Sequence, residues 1–312
     1  MNPFKYSSDN KRYHTFSYYS KKKYGKKIVK IPLNAGFTCP NRDGTKGTGG
    51  CLFCPSNGAD SFPDETKNLL LQYENRIKIL KKKWNSFIPS PYFQSYTNTY
   101  GTIEKLESIY EPFLNIDSPF ITIGTRSDCI NEDTLNFLKE INKKKKIHIE
   151  LGIQSIFDET TEKMHCYHPF KEAESLILKL KKEGFRVSCH LINGLPNETP
   201  EMMIESAKKL GELQVDGLKF HSLLILKNSY LENVFIHNPE KIKILSREEY
   251  VDILIKQLEV SPPEVVIERA MSDAPKEELI APLWPQKKFV TLNLIDNEMK
   301  ERNTYQGKFY KK

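Results

Sequence analysis

Three of the six cysteines lie close together in a polar stretch, and their spacing is the feature of this sequence that most clearly points to chemistry. Cys39, Cys51 and Cys54 are spaced C-x11-C-x2-C, and four glycines lie between the first two. This composition is typical of a loop rather than of a helix or a strand. Soft thiolates on a loop indicate a metal site, because the metal draws them together while glycines let the backbone fold tightly around it.

The cysteine loop admits three interpretations. The thiols are unligated in the first, although such clustering is rare by chance. In the second they hold a structural zinc ion with a distant fourth ligand, for which the candidates are His165, Cys166 and His168, although no second C-x2-C or H-x3-H pair is present. In the third they hold an iron–sulfur cluster with one iron free for a cofactor, since an open coordination position is a mark of catalytic metal sites.

The elements that must position this loop alternate between strands and helices. The hydrophobic pattern predicts strands at residues 27–33, 91–97, 120–124, 147–153, 186–193 and 217–224. It predicts intervening helices at residues 64–84 (with Asp64 as the N-cap), 103–114, 132–143, 170–183 and 200–213. This alternation favours parallel strands with crossover helices, so we expect an α/β fold built as a partial (β/α)6 barrel. The cysteine loop follows the first strand and therefore falls at the carboxyl ends of the strands, where such folds place their sites.

We divide the chain into three regions. Residues 1–27 form a basic N-terminal segment that we expect to be irregular, and residues 28–226 form the barrel. Residues 227–312 form a C-terminal extension that we expect to pack on the open side of the barrel. The extension is predicted to contain helices at residues 247–259 and 288–302, with one further strand at residues 265–269.

Composition and charge limit the possible partners and compartments. No apolar run is long enough for a membrane span, and the N-terminus lacks the apolar core of a secretion signal, so we expect a cytoplasmic protein without a membrane partner. The formal net charge is +7. Lysine clusters lie at residues 21–23, 26–27, 81–83 and 143–146. They are compatible with an RNA partner, whose phosphates would bind them, and equally with solvated helix faces.

The string GFTCPNRDGTKGTGGCLFC, with Phe53 just before the last cysteine, resembles the radical S-adenosylmethionine (SAM) enzymes and, among them, the bacterial YhcC/YtqA branch. That branch is related to the elongator catalytic subunit and to the oxygen-independent coproporphyrinogen oxidase. The resemblance covers roughly residues 12–307 and is most specific in this loop. It implies an open barrel in which Cys39, Cys51 and Cys54 hold a [4Fe–4S] cluster and SAM binds the fourth iron.

The same resemblance implies a set of cofactor-binding positions, most of them at strand ends. These are Phe53, Gln94, Thr97, Asn98, Arg126, Gln154, His190, Ile192 and Gly194. Phe53 would pack against the adenine, the stretch QSYTNTY would accept hydrogen bonds from the amino group of SAM, and Gln154 would contact its ribose. Each of these polar residues can instead be an ordinary turn or strand-end residue. A buried histidine such as His190 is more often a satisfied core residue than a catalyst.

Two polar residues of the sixth predicted strand, Lys219 and His221, lie on one face of it. A lysine inside a barrel strand is costly unless it is paired, so we predict that both residues contact the substrate. The sequence also departs from its relatives, because His165-Cys166-Tyr167-His168 stands where they have Asn-Arg-Gly-His. If that arginine grips the SAM carboxylate in the relatives, Arg126 is the candidate to replace it here, and Cys166 is a candidate reactive thiol or extra ligand.

The expected function is therefore reductive cleavage of SAM followed by abstraction of a substrate hydrogen, with flavodoxin or ferredoxin as the reductant. The resemblance implies transfer RNA as the substrate, with modification at the wobble uridine, for which the base must leave its stack. Two alternatives stay open: radical chemistry on a small metabolite, and a zinc-containing RNA-binding protein without redox chemistry.

Overall fold

The computed structural model describes residues 2–55, 66–273 and 276–311, in which seven parallel strands form a curled half-barrel. The described residues form nine strands in all: β1 (Ile28–Leu33), β2 (Ile88–Phe93), β3 (Ile121–Thr125), β4 (Ile147–Gln154), β5 (Arg186–Asn193), β6 (Gly217–Ser222), β7 (Ile225–Leu226), β8 (Val266–Arg269) and β9 (Leu279–Ala281). The large sheet has the order β1-β2-β3-β4-β5-β6-β8, while β7 and β9 form a separate antiparallel pair. The α/β half-barrel expected from the sequence is confirmed, and the predicted strand at residues 265–269 joins the sheet as its seventh member.

Ten α-helices accompany the sheet in the described part of the chain. They are α1 (Phe16–Tyr24), α2 (Leu69–Lys81), α3 (Ile103–Tyr110), α4 (Glu132–Lys144), α5 (Asp158–Lys163), α6 (Phe170–Lys182), α7 (Pro200–Glu212), α8 (Tyr230–His237), α9 (Arg247–Val260) and α10 (Lys288–Glu301). Helices α4, α6, α7, α9 and α10 begin and end within a few residues of the predicted bounds. Among the described residues, none of the helices is both long enough and apolar enough to cross a membrane.

Side chains along each strand alternate between the two faces of the large sheet. One face carries apolar residues such as Ile31, Phe93 and Ile149, which are fully buried in the main hydrophobic cluster together with residues of the surrounding helices. The other face looks into the barrel and carries polar residues, including Glu150 and Lys219. The barrel interior is therefore charged, whereas buried parallel strands are usually apolar throughout.

We expected the N-terminal segment to be irregular. This expectation is wrong, because the segment contains helix α1. The side chain of Thr15 caps this helix by accepting a hydrogen bond from the Tyr18 N–H, and Gly25 ends it with a φ of 74°. The lysine-rich sequence of α1 has little amphipathic pattern, so the periodicity that reveals a helix is missing. Thr15 also pairs with Ile267 at the free edge of β8, so this segment borders the last strand of the sheet.

Two predicted elements have different bounds in the structure. The first crossover helix begins at Leu69, after Asn68, whose side chain accepts a hydrogen bond from the Leu71 N–H. The predicted cap, Asp64, lies outside the described residues. Strand β2 ends at Phe93 rather than at residue 97, and Tyr96 has a φ of 62°, which is incompatible with an extended strand.

The C-terminal extension is attached to the barrel at two places. Strand β8 pairs with β6, and Glu268 on β8 lies 2.5 Å from Nζ of Lys30 on β1, so an ion pair spans the gap between the two edge strands. On α9, Gln257 exchanges hydrogen bonds with Asn193 at the end of β5, at 2.7 and 2.9 Å. The division of the chain into residues 1–27, 28–226 and 227–312 stays a prediction.

Candidate active site at the carboxyl ends of the strands

The cysteine loop leaves the carboxyl end of β1 and folds on itself through local hydrogen bonds. The N–H of Arg42 donates to the Cys39 carbonyl at 2.8 Å, and the N–H of Cys54 donates to the Cys51 carbonyl at 2.9 Å. Thr97, which follows β2, donates its N–H to the Thr38 carbonyl at 3.2 Å. These contacts hold the loop against the ends of the first two strands, as the sequence predicts.

The thiols of the loop lie close enough to influence one another. The Cys51 sulfur receives hydrogen bonds from Cys166 and Cys54, and these hold the pKa of Cys51 well below its usual range. The amide Nδ2 of Asn41 also donates to the Cys51 sulfur, at 3.4 Å. The pKa values of Cys54 and Cys166 are raised well above their usual range by the same hydrogen bonds and by burial. Of these three thiols Cys51 is therefore the one that most readily loses its proton, and the thiolate is the form that binds metal.

The described residues contain no set of three His, Cys, Asp or Glu side chains already arranged as a metal site. What favours an iron–sulfur cluster is the chemistry of the donor set: Cys51 and Cys54 lie side by side, and Cys39 lies close enough to Cys54 to influence it electrostatically. Thiolates on a loop are the ligands that such clusters use. The three residues fit the cluster, and their roles as ligands stay a prediction.

An apolar cluster lies beside the cysteine loop and contains two of the predicted SAM contacts. Phe53 and Ile192 are both partly buried there, next to Cys51 and the buried Cys166. Gly194, two residues after Ile192, has a φ of 89° and donates its N–H to the Met203 sulfur at 3.4 Å. The structure thus brings the end of β5 to the cysteine loop and supplies an apolar wall of the kind that an adenine ring would need.

The stretch after β2 supplies one unused hydrogen-bond acceptor. Asn98 is fully buried, and its Nδ2 donates to the carbonyls of Phe93 and Gly124 at 3.1 and 2.9 Å. Its Oδ1 has no hydrogen-bond partner among the described residues. A buried acceptor without a donor is costly, so this atom is available to a bound amino group. Gln94 and Thr97 flank it, the first half-buried and the second buried.

Arg126 follows β3 and is already paired. Its guanidinium donates to both carboxylate oxygens of Asp128, at 2.9 and 2.8 Å, and Lys46 lies 2.7 Å from the same carboxylate. Burial alone would raise the pKa of Asp128, but Arg126 and Lys46 outweigh it and lower that pKa to about 2. The charges of Cys39 and Cys51 also act on Arg126, which places the guanidinium near the thiols. To grip the SAM carboxylate, Arg126 would have to share its two hydrogen bonds with Asp128.

Gln154 ends β4 in a conformation that glutamine rarely adopts. Its φ is 68°, and the pairing of β4 with β5 shifts register between Gly152 and Gln154. Left-handed backbone at a non-glycine residue is uncommon and is found preferentially at functional sites. The next residue, Ser155, donates from its hydroxyl to Glu198 after β5, which ties the ends of the two strands together.

A network of charged side chains fills the barrel interior below these strand ends. Glu150 on β4 is its centre: it accepts hydrogen bonds from Lys30, from Lys219 at 2.5 Å and from His190 at 3.0 Å. Burial would raise the pKa of Glu150, but Lys219 and Lys30 hold it well below its usual range. Lys219 also donates to the Tyr92 hydroxyl at 3.2 Å. Both lysines are therefore paired, as a charge inside a barrel must be.

The two histidines above this network are stacked on each other. The rings of His190 and His221 have centroids 5.4 Å apart and an angle of 23° between their planes. Burial lowers the pKa of both, so both imidazoles are neutral near pH 7. Glu150 orients the ring of His190, while Nε2 of His221 has no hydrogen-bond partner among the described residues.

Comparison with known proteins identifies the family of this chain. The profile of the Radical SAM superfamily matches residues 39–210, more than half of the chain, and that of the Radical_SAM C-terminal domain matches residues 215–301. The chain therefore belongs to the radical SAM superfamily, whose members use a [4Fe–4S] cluster and SAM. The resemblance stated from the cysteine loop is confirmed, and so are the two cofactors.

The relatives fall into the expected branch. The chain is 38% identical to YtqA of Bacillus subtilis, in a match that covers 100% of this chain and 97% of YtqA. It is 30% identical to YhcC of Escherichia coli, over 90% of each chain. A weaker match, 26% identical over 51% of this chain and 29% of the relative, is to the tRNA uridine(34) acetyltransferase of Methanocaldococcus jannaschii. The archaeal Elp3 of Methanocaldococcus infernus covers 90% of this chain with a TM-score of 0.67, at 17% identity and over 64% of its own length, which shows a shared fold.

Sequence reasoning missed several residues that the structure places in or beneath the site. Asn41, Glu150, Asp128 and Glu198 were not among the predicted site residues. Glu150 carried a usable signal, because a carboxylate in the buried strand IHIELGI needs a cation. Asn41 carried none, since an asparagine in a glycine-rich loop has an ordinary turn interpretation.

Proposed function

We propose that this chain is a radical SAM enzyme that modifies the wobble uridine of transfer RNA. Its class rests on the superfamily match and on the thiol-rich loop at the carboxyl ends of the strands. The choice of substrate is supported by the relative named as a tRNA uridine(34) acetyltransferase and by the net charge of +7. The observation that carries the proposal is that Cys51, Phe53 and Ile192 all pack against one apolar cluster at this end of the barrel.

When bound, the cluster would supply the electron for reductive cleavage of SAM. Cys39, Cys51 and Cys54 would hold the cluster, and Asn41 would donate to the Cys51 sulfur. Phe53 and Ile192 would hold the adenine in an apolar wall that excludes water from the radical. Asn98 Oδ1 would accept from the amino group of SAM, and Gln154 would contact the ribose.

The charged interior favours different roles for the two predicted substrate contacts. His221 has a free Nε2 on the face of β6 that looks into the barrel, so it is our proposed substrate contact. Lys219 is engaged by Glu150 and Tyr92, so we propose that it acts through the network that orients His190. Radical SAM enzymes need a reductant, and we propose flavodoxin or ferredoxin for this one.

The test is analysis of transfer RNA from a strain that lacks the gene. Mass spectrometry of its nucleosides should show loss or truncation of a modified wobble uridine. A plasmid carrying the wild-type gene should restore it, while the Cys51→Ala variant should not. An unchanged nucleoside profile would contradict the RNA substrate and favour a small metabolite, provided that the purified protein still cleaves SAM.

A further inference from the structure

A row of aromatic rings leads outward from the cysteine loop, and the site described above does not use it. The rings of Tyr167 and His165 are stacked, with centroids 5.5 Å apart and an interplanar angle of 16°. The ring of Tyr230 follows at 6.5 Å from His165, tilted by 38°. We call these three residues the aromatic row.

The inner end of the aromatic row rests on the cysteine loop itself. A Cβ at Gly47 would lie 2.9 Å from the Tyr167 ring, so only glycine leaves room for it there. Asn41 donates to the His165 carbonyl at 2.6 Å, and Leu52 donates its N–H to the Met164 carbonyl at 3.1 Å. The row is thereby fixed to the loop that holds the proposed cluster.

The outer end is held just as directly and is open to solvent. Leu231, next to Tyr230 at the start of α8, donates its N–H to the Leu52 carbonyl at 3.0 Å. The Tyr230 side chain is 62% exposed and that of Tyr167 is 37% exposed. Large aromatic side chains that are exposed and yet fixed in position have low entropy to lose on binding, which suits them for recognition.

The backbone beneath the row is held in an unusual form. His165 and Tyr167 have φ values of 58° and 47°, in the left-handed region that bulky residues avoid. Between them, the fully buried Cys166 packs beneath the loop. With Cys166 buried between them, the rings of His165 and Tyr167 lie on the same side of the backbone and stack on each other.

We propose that the aromatic row stacks an unpaired nucleobase of the RNA substrate, next to the base that enters the barrel. This inference rests on the proposed function and adds the part of the RNA that the protein recognises. Unpaired bases of RNA loops are bound by stacking on aromatic rings, and every base offers such a face. Lys46 on the cysteine loop and Lys163 just before the row are paired with Asp128 and Glu159, and each would share its charge with a phosphate of such a strand.

Binding of an anticodon stem–loop RNA tests the row. The reconstituted protein is titrated anaerobically into the labelled stem–loop, and in parallel into a duplex that has the stem sequence without the loop. Tyr230→Ala and Tyr167→Ala should each weaken stem–loop binding about 5- to 100-fold, the loss expected when one stacking side chain is removed, and should change duplex binding little. Tyr230→Phe keeps the ring and should bind as the wild type does.

The matched control is Phe289→Ala, which removes an aromatic ring that is 79% exposed on α10, outside the row. Iron content and melting temperature show whether each variant is still folded. If both tyrosine-to-alanine variants bind with wild-type affinity, or lose equal affinity for the stem–loop and the duplex, the aromatic row does not stack a nucleobase. The proposed function would then stay in place. If the variants bind RNA normally but are reduced more slowly by flavodoxin, the aromatic row contacts a reductant, and its proposed role in RNA binding is wrong. If the wild type binds no RNA, the row and the RNA substrate fail together.

Discussion

The side-chain amide of Gln154 occupies the space that a side chain at Gly152 would need. A Cβ built at Gly152 would lie 2.8 Å from Nε2 of Gln154, closer than real Cβ contacts come. Gly152 is therefore required so that the amide can lie over β4 at the mouth of the barrel. Gly152 and the left-handed backbone at Gln154 together fix the direction in which the Gln154 amide points.

Gly152→Ala should displace this amide without unfolding the protein, because the clash is with the flexible end of a side chain. If Gln154 holds the ribose of SAM, the variant should bind SAM about 2- to 12-fold more weakly, the loss of one neutral hydrogen bond. Calorimetry on the anaerobically reconstituted protein measures this. Gln154→Ala should show a similar loss, and the double variant should be no weaker than either. Wild-type affinity in all three would remove Gln154 from the cofactor site.

The Glu150 carboxylate neutralises two buried lysines, so its removal should be among the most destabilising single changes. Glu150→Gln leaves Lys30 and Lys219 with one fewer anion and should cost about 3–5 kcal/mol of unfolding free energy. Denaturant unfolding measures the change. Glu140→Gln breaks an exposed ion pair with Lys143 and serves as the control, which should unfold as the wild type does. If both variants unfold alike, the interior network does not stabilise the fold.

These elements show what the sequence can and cannot reveal. The cysteine loop, the parallel strands and most helix bounds follow from spacing and hydrophobic period, because those signals are local. Glu150, Lys30 and Glu268 come from three strands far apart in sequence, so their meeting depends on the closure of the sheet. Helix α1 was missed because it lacks an apolar stripe, although Thr15 and Gly25 mark its two ends.

Glu198 should make the stability of the protein depend on pH. Burial raises the pKa of Glu198 from 4.5 to about 7. Between these values the folded protein holds one more proton than the unfolded chain, so stability falls as the pH rises through that window. The Glu198→Gln variant has no carboxyl at this position, so its stability does not fall in this way. Relative to the wild type, its free energy of unfolding should increase by about 2 kcal/mol between pH 5 and pH 8, allowing for partial exposure.

Melting curves at several pH values check this behaviour. Glu205→Gln alters an exposed carboxyl on α7, the helix that begins two residues after Glu198, and should follow the wild type. Parallel curves for wild type and Glu198→Gln would show that Glu198 is ionised in both the folded and the unfolded state. That outcome would also mean that the hydrogen bond from Ser155 reaches a carboxylate at every pH tested.

Cys166 should behave as a hydrogen-bond donor rather than as a ligand. It is fully buried, its thiol lies beside the Cys51 sulfur, and the thiol donates to the Met164 carbonyl at 3.8 Å. Burial also argues against the reactive thiol that its sequence position suggested. Cys166→Ser keeps a donor and should retain the iron content of the wild type, as should the control Cys189→Ser at another fully buried thiol. Loss of iron in Cys166→Ser alone would make Cys166 the fourth ligand and close the position assigned to SAM.

The central claim is that Cys39, Cys51 and Cys54 hold a four-iron cluster with one corner open to SAM. Electron paramagnetic resonance of the anaerobically reconstituted, dithionite-reduced protein tests it most directly, before and after SAM is added. The account predicts a [4Fe–4S] signal that changes shape with SAM and disappears in each single cysteine-to-alanine variant. A colourless protein with one tightly bound zinc ion, or a cluster signal that SAM leaves unchanged, would contradict it.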